Sequence, residues 1–290
     1  MEKKKGSFSK IYLVVLSFIT VICVVVGISI NANGFGNDNG PKKDGNIEIG
    51  EFSELKVDLS ITSVVIEKGS NWDIRYERVP EKIIPKVENK DGKLTVTQKK
   101  QKFRFNFFGF GSNGGKVYIT IPEGANVSAV DTFVDTGSCT IENLLLGNII
   151  INVDTGSVKV EKVVADKLEV DSDTGTVRIE DSSFYETIVD SDTGATTIDG
   201  LQGTKLKVTE DTGAIKIMDS TLEDIFAEAD TGSIKVDSAF MSIDASTDTG
   251  SVNVNFDDKL CSEDEVKVKL ETDTGSVRYN GEKCGHKFEK

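Results

Sequence analysis

The stretch that decides the fold is Leu168-Glu-Val-Asp-Ser-Asp173-Thr-Gly-Thr-Val177-Arg-Ile179. Apolar and polar residues alternate on both sides of a central Asp-Thr-Gly, which is the period-two pattern of strands that bury one face. Glycine permits backbone conformations that other residues avoid, and aspartate can accept hydrogen bonds from nearby backbone N–H groups. The stretch therefore predicts two short strands joined by a tight turn.

The same tripeptide recurs through the second half of the chain. Its spacing is 19 residues from Asp135 to Asp230, followed by one interval of 18 and one of 25. Fixed periods near twenty indicate stacked repeats. We therefore predict an all-β fold, a single-stranded β-solenoid (β-helix) with rungs of 19 residues, in which the tripeptides form one edge. The aspartates of this predicted ladder are Asp135, Asp154, Asp173, Asp192, Asp211, Asp230, Asp248 and Asp273. The turn glycines are Gly137, Gly156, Gly175, Gly194, Gly213, Gly232, Gly250 and Gly275.

Each predicted rung places apolar residues at fixed distances from its aspartate. They stand four and six residues on, as Val177 and Ile179 do, and fourteen and sixteen residues on, as Leu168 and Val170 do. The pattern also predicts an apolar corner in each rung, filled by Leu145, Val164, Phe184, Leu222 or Phe240. One rung cannot bury this face alone, but stacked neighbours would share a continuous core.

The pattern extends upstream in weaker form and sets the expected domain limits. Residues 55–66 align with 168–179, with Ser60-Ile-Thr in place of Asp-Thr-Gly. We therefore expect an N-terminal β section with degenerate rungs over 47–130, the regular solenoid over 131–280 and a polar tail over 281–290. The long interval after Asp248 predicts an inserted loop near the C-terminal cap. Residues 31–46, rich in Asn and Gly, predict a flexible linker.

Residues 11–30 carry no charged side chain, and a run of this length can cross a hydrocarbon core of about 30 Å. Lysines precede the run within residues 1–10, which predicts a cytoplasmic tail over 1–10 and an extracytoplasmic location for the rest of the chain. The prediction is a single-pass signal anchor, a transmembrane helix in the cell membrane. Two alternatives are a cleaved signal peptide, whose apolar region is usually shorter, and lipidation at Cys23.

The net charge of −14 is concentrated in the second half of the chain, where acidic residues far outnumber basic ones. Such an acidic surface disfavours nucleic acid and favours cations or basic partners. Simple solubility outside the cell is the alternative explanation.

The N-terminal anchor, the late repeats of the form Asp-Thr-Gly-Ser-Val-x-Val and the Leu-x-Val-Asp strand before them resemble a bacterial domain-of-unknown-function family named "putative adhesin". The resemblance covers residues 47–280. It implies β-strand repeats and a place in the cell envelope, with some members linked to envelope stress. It carries no catalytic residues over to this chain.

Three enzyme classes and a metal site can be compared with the motifs. Phe133-Val-Asp135-Thr-Gly-Ser has the letters of an aspartic protease loop, but that chemistry needs two facing carboxylates that share a proton. Residues 109–114 match the dinucleotide fingerprint without the helix that it requires. A carbohydrate-active β-helix enzyme stays an alternative, although its long groove-walling loops are missing. The aspartate ladder is also an alternative site for weak calcium binding, with few oxygens per rung.

Two further features outside the repeat are candidate sites. Five phenylalanines interleave with basic residues and predict either a hairpin that caps the solenoid or an exposed interaction patch. They are Phe103, Phe105, Phe107, Phe108 and Phe110. Cys261 and Cys284 stand near the C-terminal cap in a compartment that permits a disulfide between them.

From these observations we expect a non-catalytic, membrane-anchored β-solenoid that acts as an envelope scaffold or interaction surface. No catalytic residue, metal site or obligate cofactor is predicted. The expected partners are the membrane, through residues 11–30, and an envelope protein or cell-wall component. The alternative is a carbohydrate-active enzyme or a calcium-responsive adhesin that uses the aspartate ladder.

Overall fold

The computed structural model describes residues 41–99 and 114–290. These residues form strands and one short 3-10 helix, Glu81–Ile83, so the prediction of an all-β fold is confirmed for the described part of the chain. The strands are β1 Lys42–Glu48, β2 Glu54–Leu59, β3 Ser63–Gly69, β4 Asp73–Pro80, β5 Lys86–Lys90, β6 Lys93–Thr97, β7 Lys116–Pro122, β8 Ala129–Thr136, β9 Cys139–Glu142, β10 Asn148–Glu161, β11 Val164–Glu180, β12 Ser183–Asp199, β13 Gln202–Asp257, β14 Lys267–Tyr279, β15 Glu282–Gly285 and β16 Lys287–Glu289. Within these two ranges no helix is long and apolar enough to cross a bilayer. The predicted anchor at 11–30 lies outside them.

Parallel pairing with a constant register builds the stack. Val158 of β10 pairs with Val177 of β11, which pairs with Thr196 of β12, and Thr196 pairs with Ile215 of β13. Each step equals one repeat of the sequence. Because strands in register place equivalent side chains above one another, every rung position becomes a column along the stack. The described chain is therefore a β-solenoid-like stack in which the aspartates, glycines and core residues each form a line.

The core lies between two facing sheets, one formed by the strand segments before each Asp-Thr-Gly turn and one by the segments after it. Leu168, Val170, Val177 and Ile179 are all buried, as are their equivalents in the other rungs, so the predicted inward positions are confirmed. Each turn thus joins the two sheets at one edge of the stack.

The predicted apolar corner is only partly right. Phe184, Leu222 and Phe240 are buried, but Leu145 is 68% exposed and Val164 is 49% exposed. In those two rungs the adjacent residues, such as Leu144, turn inward instead. The position that faces the core is the eleventh after each aspartate in these rungs, where Ala165 pairs with Phe184 and both are buried. Leu145 and Val164 stand at the tenth position, and successive side chains of an extended segment point to opposite faces.

The N-terminal section stacks in an order that differs from its order in the chain. In one sheet β6 pairs with β2, and β2 pairs with β8. In the other sheet β7 pairs with β3, and β3 pairs with β9. The degenerate rung over 55–66 is therefore the second of the stack, and β6 with β7 forms the outermost parallel rung.

Antiparallel strands cover both ends of the stack. At the N-terminal end β5 pairs with β6, while β4 pairs with β7 and β1 pairs with β4. At the C-terminal end β15 and β16 pair with β14. These strands are short or rich in charged residues, a common protection against edge-to-edge association.

Two predicted boundaries differ from this arrangement. The sheet begins at Lys42, inside the predicted linker over 31–46. The predicted polar tail over 281–290 instead forms β15 and β16, where Phe288 stacks on Tyr279 with ring centroids 4.8 Å apart. Both segments supply hydrogen-bonding partners to strands that would otherwise have open edges. The inserted loop predicted after Asp248 is present between β13 and β14.

Candidate interaction surfaces

Close backbone contact defines the Asp-Thr-Gly edge. A Cβ atom on Gly175 would overlap the carbonyl oxygen of Gly156 in the preceding rung, and the same relation recurs along the glycine column. Gly175 has a φ of +153°, a conformation that favours glycine. Gly194 lacks such a φ, yet a Cβ there would overlap the carbonyl of Gly175. The glycines are therefore required chiefly because the turns pack backbone against backbone.

The aspartates of the ladder mostly face solvent. Six of them are exposed, namely Asp173, Asp192, Asp211, Asp230, Asp248 and Asp273, whereas Asp135 and Asp154 are half-buried. In the described ranges no backbone N–H donates a hydrogen bond to the six exposed carboxylates. The hydrogen-bonding role predicted for these aspartates is thus not seen in those turns, which are held by strand pairing and glycine packing.

A second acidic column runs beside the ladder on the outer face of the same strands. Asp171 pairs with Asp190 in the next rung. Partial burial raises the pKa of the Asp171 carboxyl, and the negative charges of Asp190, Asp173 and Asp192 raise it further. Thr209 donates a hydrogen bond to Asp190 Oδ1 at 2.6 Å. Among the residues described, no group of three or more His, Cys, Asp or Glu side chains is arranged to hold a metal ion.

One carboxylate lies inside the stack. Glu210 is only 2% exposed and occupies an inward position just before Asp211. The hydroxyls of Ser191 and Thr196 donate to its two oxygens at 3.4 and 3.1 Å. Burial raises the pKa of Glu210, against the opposing effect of these hydrogen bonds and one from the Gly194 backbone. Glu210 was not predicted from the sequence. The equivalent residues of the other rungs are small or apolar, so an acidic residue at this position was a recognisable signal.

The corner opposite the aspartate edge depends on a second specialised turn. Eight residues after each of the first five aspartates, the backbone adopts a left-handed conformation, as at Lys162 with a φ of +53°. The residues in this column are Asn143, Lys162, Asp181, Gly200 and Asp219. Buried serines complete the corner: Ser220 Oγ accepts a hydrogen bond from Leu201 N at 3.1 Å and donates to Met218 O at 2.8 Å. Recurrent Asn, Asp and Gly at position eight could have predicted this turn.

Loops gather at this opposite corner beside the N-terminal cap. Residues 49–53 lead into β2, residues 70–72 follow β3, and residues 123–128 connect β7 to β8. Trp72 lies here, half-buried, with its ring in edge contact with that of Phe52 at a centroid distance of 4.5 Å. Binding residues commonly lie on loops held by a rigid scaffold. No motif of the sequence indicated this loop cluster.

The remaining sequence candidates lie elsewhere. The phenylalanine cluster Phe103, Phe105, Phe107, Phe108 and Phe110 lies outside the described residues. Cys261 and Cys284 are free thiols, so the disulfide considered from the sequence is not formed. Their sulfur atoms contact different backbone carbonyls, that of Phe240 at 3.6 Å and that of Glu282 at 3.4 Å. Cys139 is buried in the core, and burial raises the pKa of its thiol to about 12.

The comparisons with known proteins agree with this architecture. The family model described as Toastrack DUF4097 matches residues 52–281. A crystal structure from Parabacteroides distasonis ATCC 8503, described as a "putative adhesin", has a TM-score of 0.59 and 14% identity over 83% of this chain and 97% of its own. One from Parabacteroides merdae ATCC 43184, described in the same words, has a TM-score of 0.55 and 16% identity over 83% and 97%. No curated protein matches the chain. At these identities, the structural likeness shows the fold alone.

Proposed function

The chain belongs to the Toastrack DUF4097 family, and on that basis we propose that it is a non-catalytic scaffold of the cell envelope, anchored by residues 11–30, whose acidic edge binds a basic partner. The observation that carries the proposal is the line of exposed carboxylates from Asp173 to Asp273. A rigid row of like charges spaced by about 4.8 Å offers many equivalent contacts to one extended partner. Electrostatic complementarity of this kind mainly increases the rate and the specificity of association.

Two other features support a binding role. The turn glycines pack backbone against backbone, so the exposed carboxylates stand on a closely packed edge. The structural neighbours from the two Parabacteroides species are each described as a "putative adhesin", which agrees with a surface that contacts other molecules.

Site-specific photo-crosslinking in intact cells tests this proposal. A photoreactive residue at the exposed turn position Thr193 should capture a partner, and one at the exposed position Gln202 of the opposite corner serves as the control. Mass spectrometry then identifies the product. Asp→Asn changes at Asp173, Asp192 and Asp211 should reduce capture at Thr193, and raised salt should do the same. Equal capture at both positions, or capture that is insensitive to charge, would contradict the acidic edge as the binding surface.

Anchoring and orientation require a separate experiment. Protease added to intact cells should degrade an epitope placed after residue 46 and leave an N-terminal tag protected, because the lysines before the apolar run favour a cytoplasmic N-terminus. Protection of the C-terminal epitope would contradict the proposed orientation. A release of the solenoid into the medium would instead support the cleaved signal peptide.

A further inference from the structure

The loop cluster opposite the aspartate edge forms an open cleft. Its volume is about 510 Å³, and it lies between the segment Glu51–Ser53, Trp72 and the loop from Pro122 to Asn126. Clefts that bind small ligands or single units of a polymer commonly measure about 300–1,000 Å³. The cleft lies at the edge opposite the acidic ladder, so it is separate from the acidic surface proposed to bind a basic partner.

An aromatic pair supplies the apolar part of the cleft. Phe52 is buried, with 4% of its surface exposed, and supports the half-buried ring of Trp72 at an interplanar angle of 61°. Among the described residues the indole N–H of Trp72 has no hydrogen-bond partner. Partly exposed Trp side chains combine a large apolar face with a polar donor, and they are typical anchors of binding sites.

Hydrogen bonds hold the frame of the cleft in place. Asn89 Nδ2 donates to the carbonyl oxygens of Gly50 and Glu51 at 3.0 and 3.1 Å. Ser53 N donates to Gly92 O at 2.8 Å, and Ser128 N donates to Ser53 O at 2.8 Å. These bonds link the segment before β2 to the loops on both sides. A ligand would therefore meet a rigid site and would not have to order the loops on binding.

The rim of the cleft narrows the class of ligand. It offers the carboxylate of Glu51 and the amide of Asn126, both exposed, together with the hydroxyl of Ser53. None of the residues that line the cleft is Lys or Arg. Of its two carboxylates, Glu123 forms an ion pair with Lys68 at 2.6 Å, so the negative charge of the cleft comes mainly from Glu51. This charge disfavours phosphate groups, nucleic acids and acidic peptides. A ligand that fits both the aromatic pair and the polar rim needs an apolar face that contacts the indole and neutral hydroxyl or amide groups that contact the rim.

We propose that this cleft binds a pyranose ring of an uncharged glycan. The C–H face of the sugar would lie on Trp72, and its hydroxyl groups would contact Glu51 and Asn126. Vicinal hydroxyls can donate to a carboxylate and accept from an amide at the same time. The scaffold would then carry two surfaces at opposite edges, an acidic one for a basic partner and this one for a glycan.

Intrinsic fluorescence can test the proposal directly, because Trp72 is the only tryptophan of the chain. The full chain in detergent would be titrated with chitotetraose and with cellotetraose. We expect a saturable shift of the emission with at least one of them. By calorimetry, Trp72→Ala should lower the affinity about tenfold or more, as truncation of a central aromatic contact does. Trp72→Tyr should retain part of the affinity.

Two control variants keep the test decisive. Asn126→Ala changes an exposed rim residue, so it should weaken binding without unfolding the protein. Gln202→Ala, at an exposed site away from the cleft, should leave binding unchanged. The absence of saturable binding to either glycan at millimolar concentrations, with a folded protein, would overturn the proposal, as would tighter binding of an apolar peptide. Photo-crosslinking at Thr193 in the Trp72→Ala variant reports on the acidic edge alone, so the two proposals can fail separately.

Discussion

The carbonyl oxygen of Gly156 occupies the place where a Cβ atom on Gly175 would have to lie. This contact joins two successive turns of the stack, and Gly213, Gly232, Gly250 and Gly275 repeat it with their own predecessors. Any side chain in this column would push two rungs apart at the edge. The regular interval of the sequence therefore corresponds to a close backbone contact between successive turns.

Gly175→Ala should strongly destabilise the solenoid. The added methyl group meets a backbone carbonyl that cannot move without disrupting the parallel pairing on both sides, and the φ of +153° is unfavourable for alanine as well. We expect a loss of about 3 kcal/mol or more in the free energy of unfolding, at the upper end of the range for strained backbone positions. Denaturant unfolding monitored by circular dichroism measures it.

Gly281→Ala is the matched control for that change. Gly281 also has a positive φ, +81°, but no atom lies within 4 Å of the position of its Cβ. Gly281→Ala should lower the free energy of unfolding only by the cost of a left-handed backbone for alanine, roughly 1 kcal/mol. Equal losses for the two variants would show that φ alone, and not the contact with Gly156, makes glycine necessary in the turn.

The sequence was sufficient to predict the features that repeat locally. Val177 and Ile179 alternate with polar residues and recur at a fixed interval, so their burial and their rung follow from the pattern. Leu145 was misplaced because Leu144, Leu145 and Leu146 are all apolar, so the pattern does not show which of them points outward. The stacking of β6 on β2 could not be predicted, since it depends on pairing between segments that are distant in the chain. The cleft at Trp72 was missed for the same reason, because four separate loops form it.

Glu210 should make the stability of the solenoid depend on pH. Burial raises the pKa of Glu210 above its usual value of 4.5. Its contribution to stability is therefore fully present below the pKa of the unfolded chain and is lost as the pH rises through the higher pKa of the folded state. Glu210→Gln removes this loss while keeping hydrogen-bonding groups for Ser191 and Thr196. We expect the variant to be more stable than the wild type at pH 7 and to lose that advantage near pH 4.

Thermal unfolding of both proteins across this pH range measures the difference. Glu228→Gln, an exposed change in the next rung, corrects for the removal of one negative charge from an acidic protein. If both variants gain the same stability at every pH, general repulsion explains the effect and burial of Glu210 does not.

Lys162→Gly should stabilise the protein. Lys162 adopts a left-handed φ of +53° at the corner opposite the aspartate edge, which costs a residue with a Cβ roughly 1–2 kcal/mol. Glycine avoids that cost but is more flexible in the unfolded chain, so we expect a net gain of about 0.5 kcal/mol. Loss of the exposed ion pair with Glu161 reduces this gain only slightly.

Lys205→Gly is the control, because Lys205 lies at an exposed position in the extended strand β13. It should destabilise the protein by about 0.5–1 kcal/mol. Changes of the same sign in the two unfolding midpoints would contradict the special role of position eight.

The acidic ladder should be dispensable for folding. Asp173, Asp192, Asp211 and Asp230 are exposed, and their carboxylates receive no hydrogen bond from backbone N–H groups in the described part of the chain. Neighbouring charges at about 4.8 Å repel each other by about 0.9 kcal/mol in water, and less in salt. Replacing all four by Asn removes this repulsion and keeps the shape of the side chains. We therefore expect the melting temperature to stay the same or to rise, with the larger rise at low ionic strength.

The effect of calcium on stability distinguishes a ladder that is only part of the turns from a ladder that binds cations. A ligand that binds only the folded state raises the melting temperature by mass action. One carboxylate per rung supplies few of the six to eight oxygens that calcium prefers. We therefore expect millimolar calcium to shift the melting temperature of the wild type only slightly, and magnesium at the same ionic strength to act equally. A rise of several degrees that is specific for calcium and absent from the four-Asn variant would identify the ladder as a cation site. The acidic edge would then require calcium as a bridge to its partner, and a basic partner would no longer be needed.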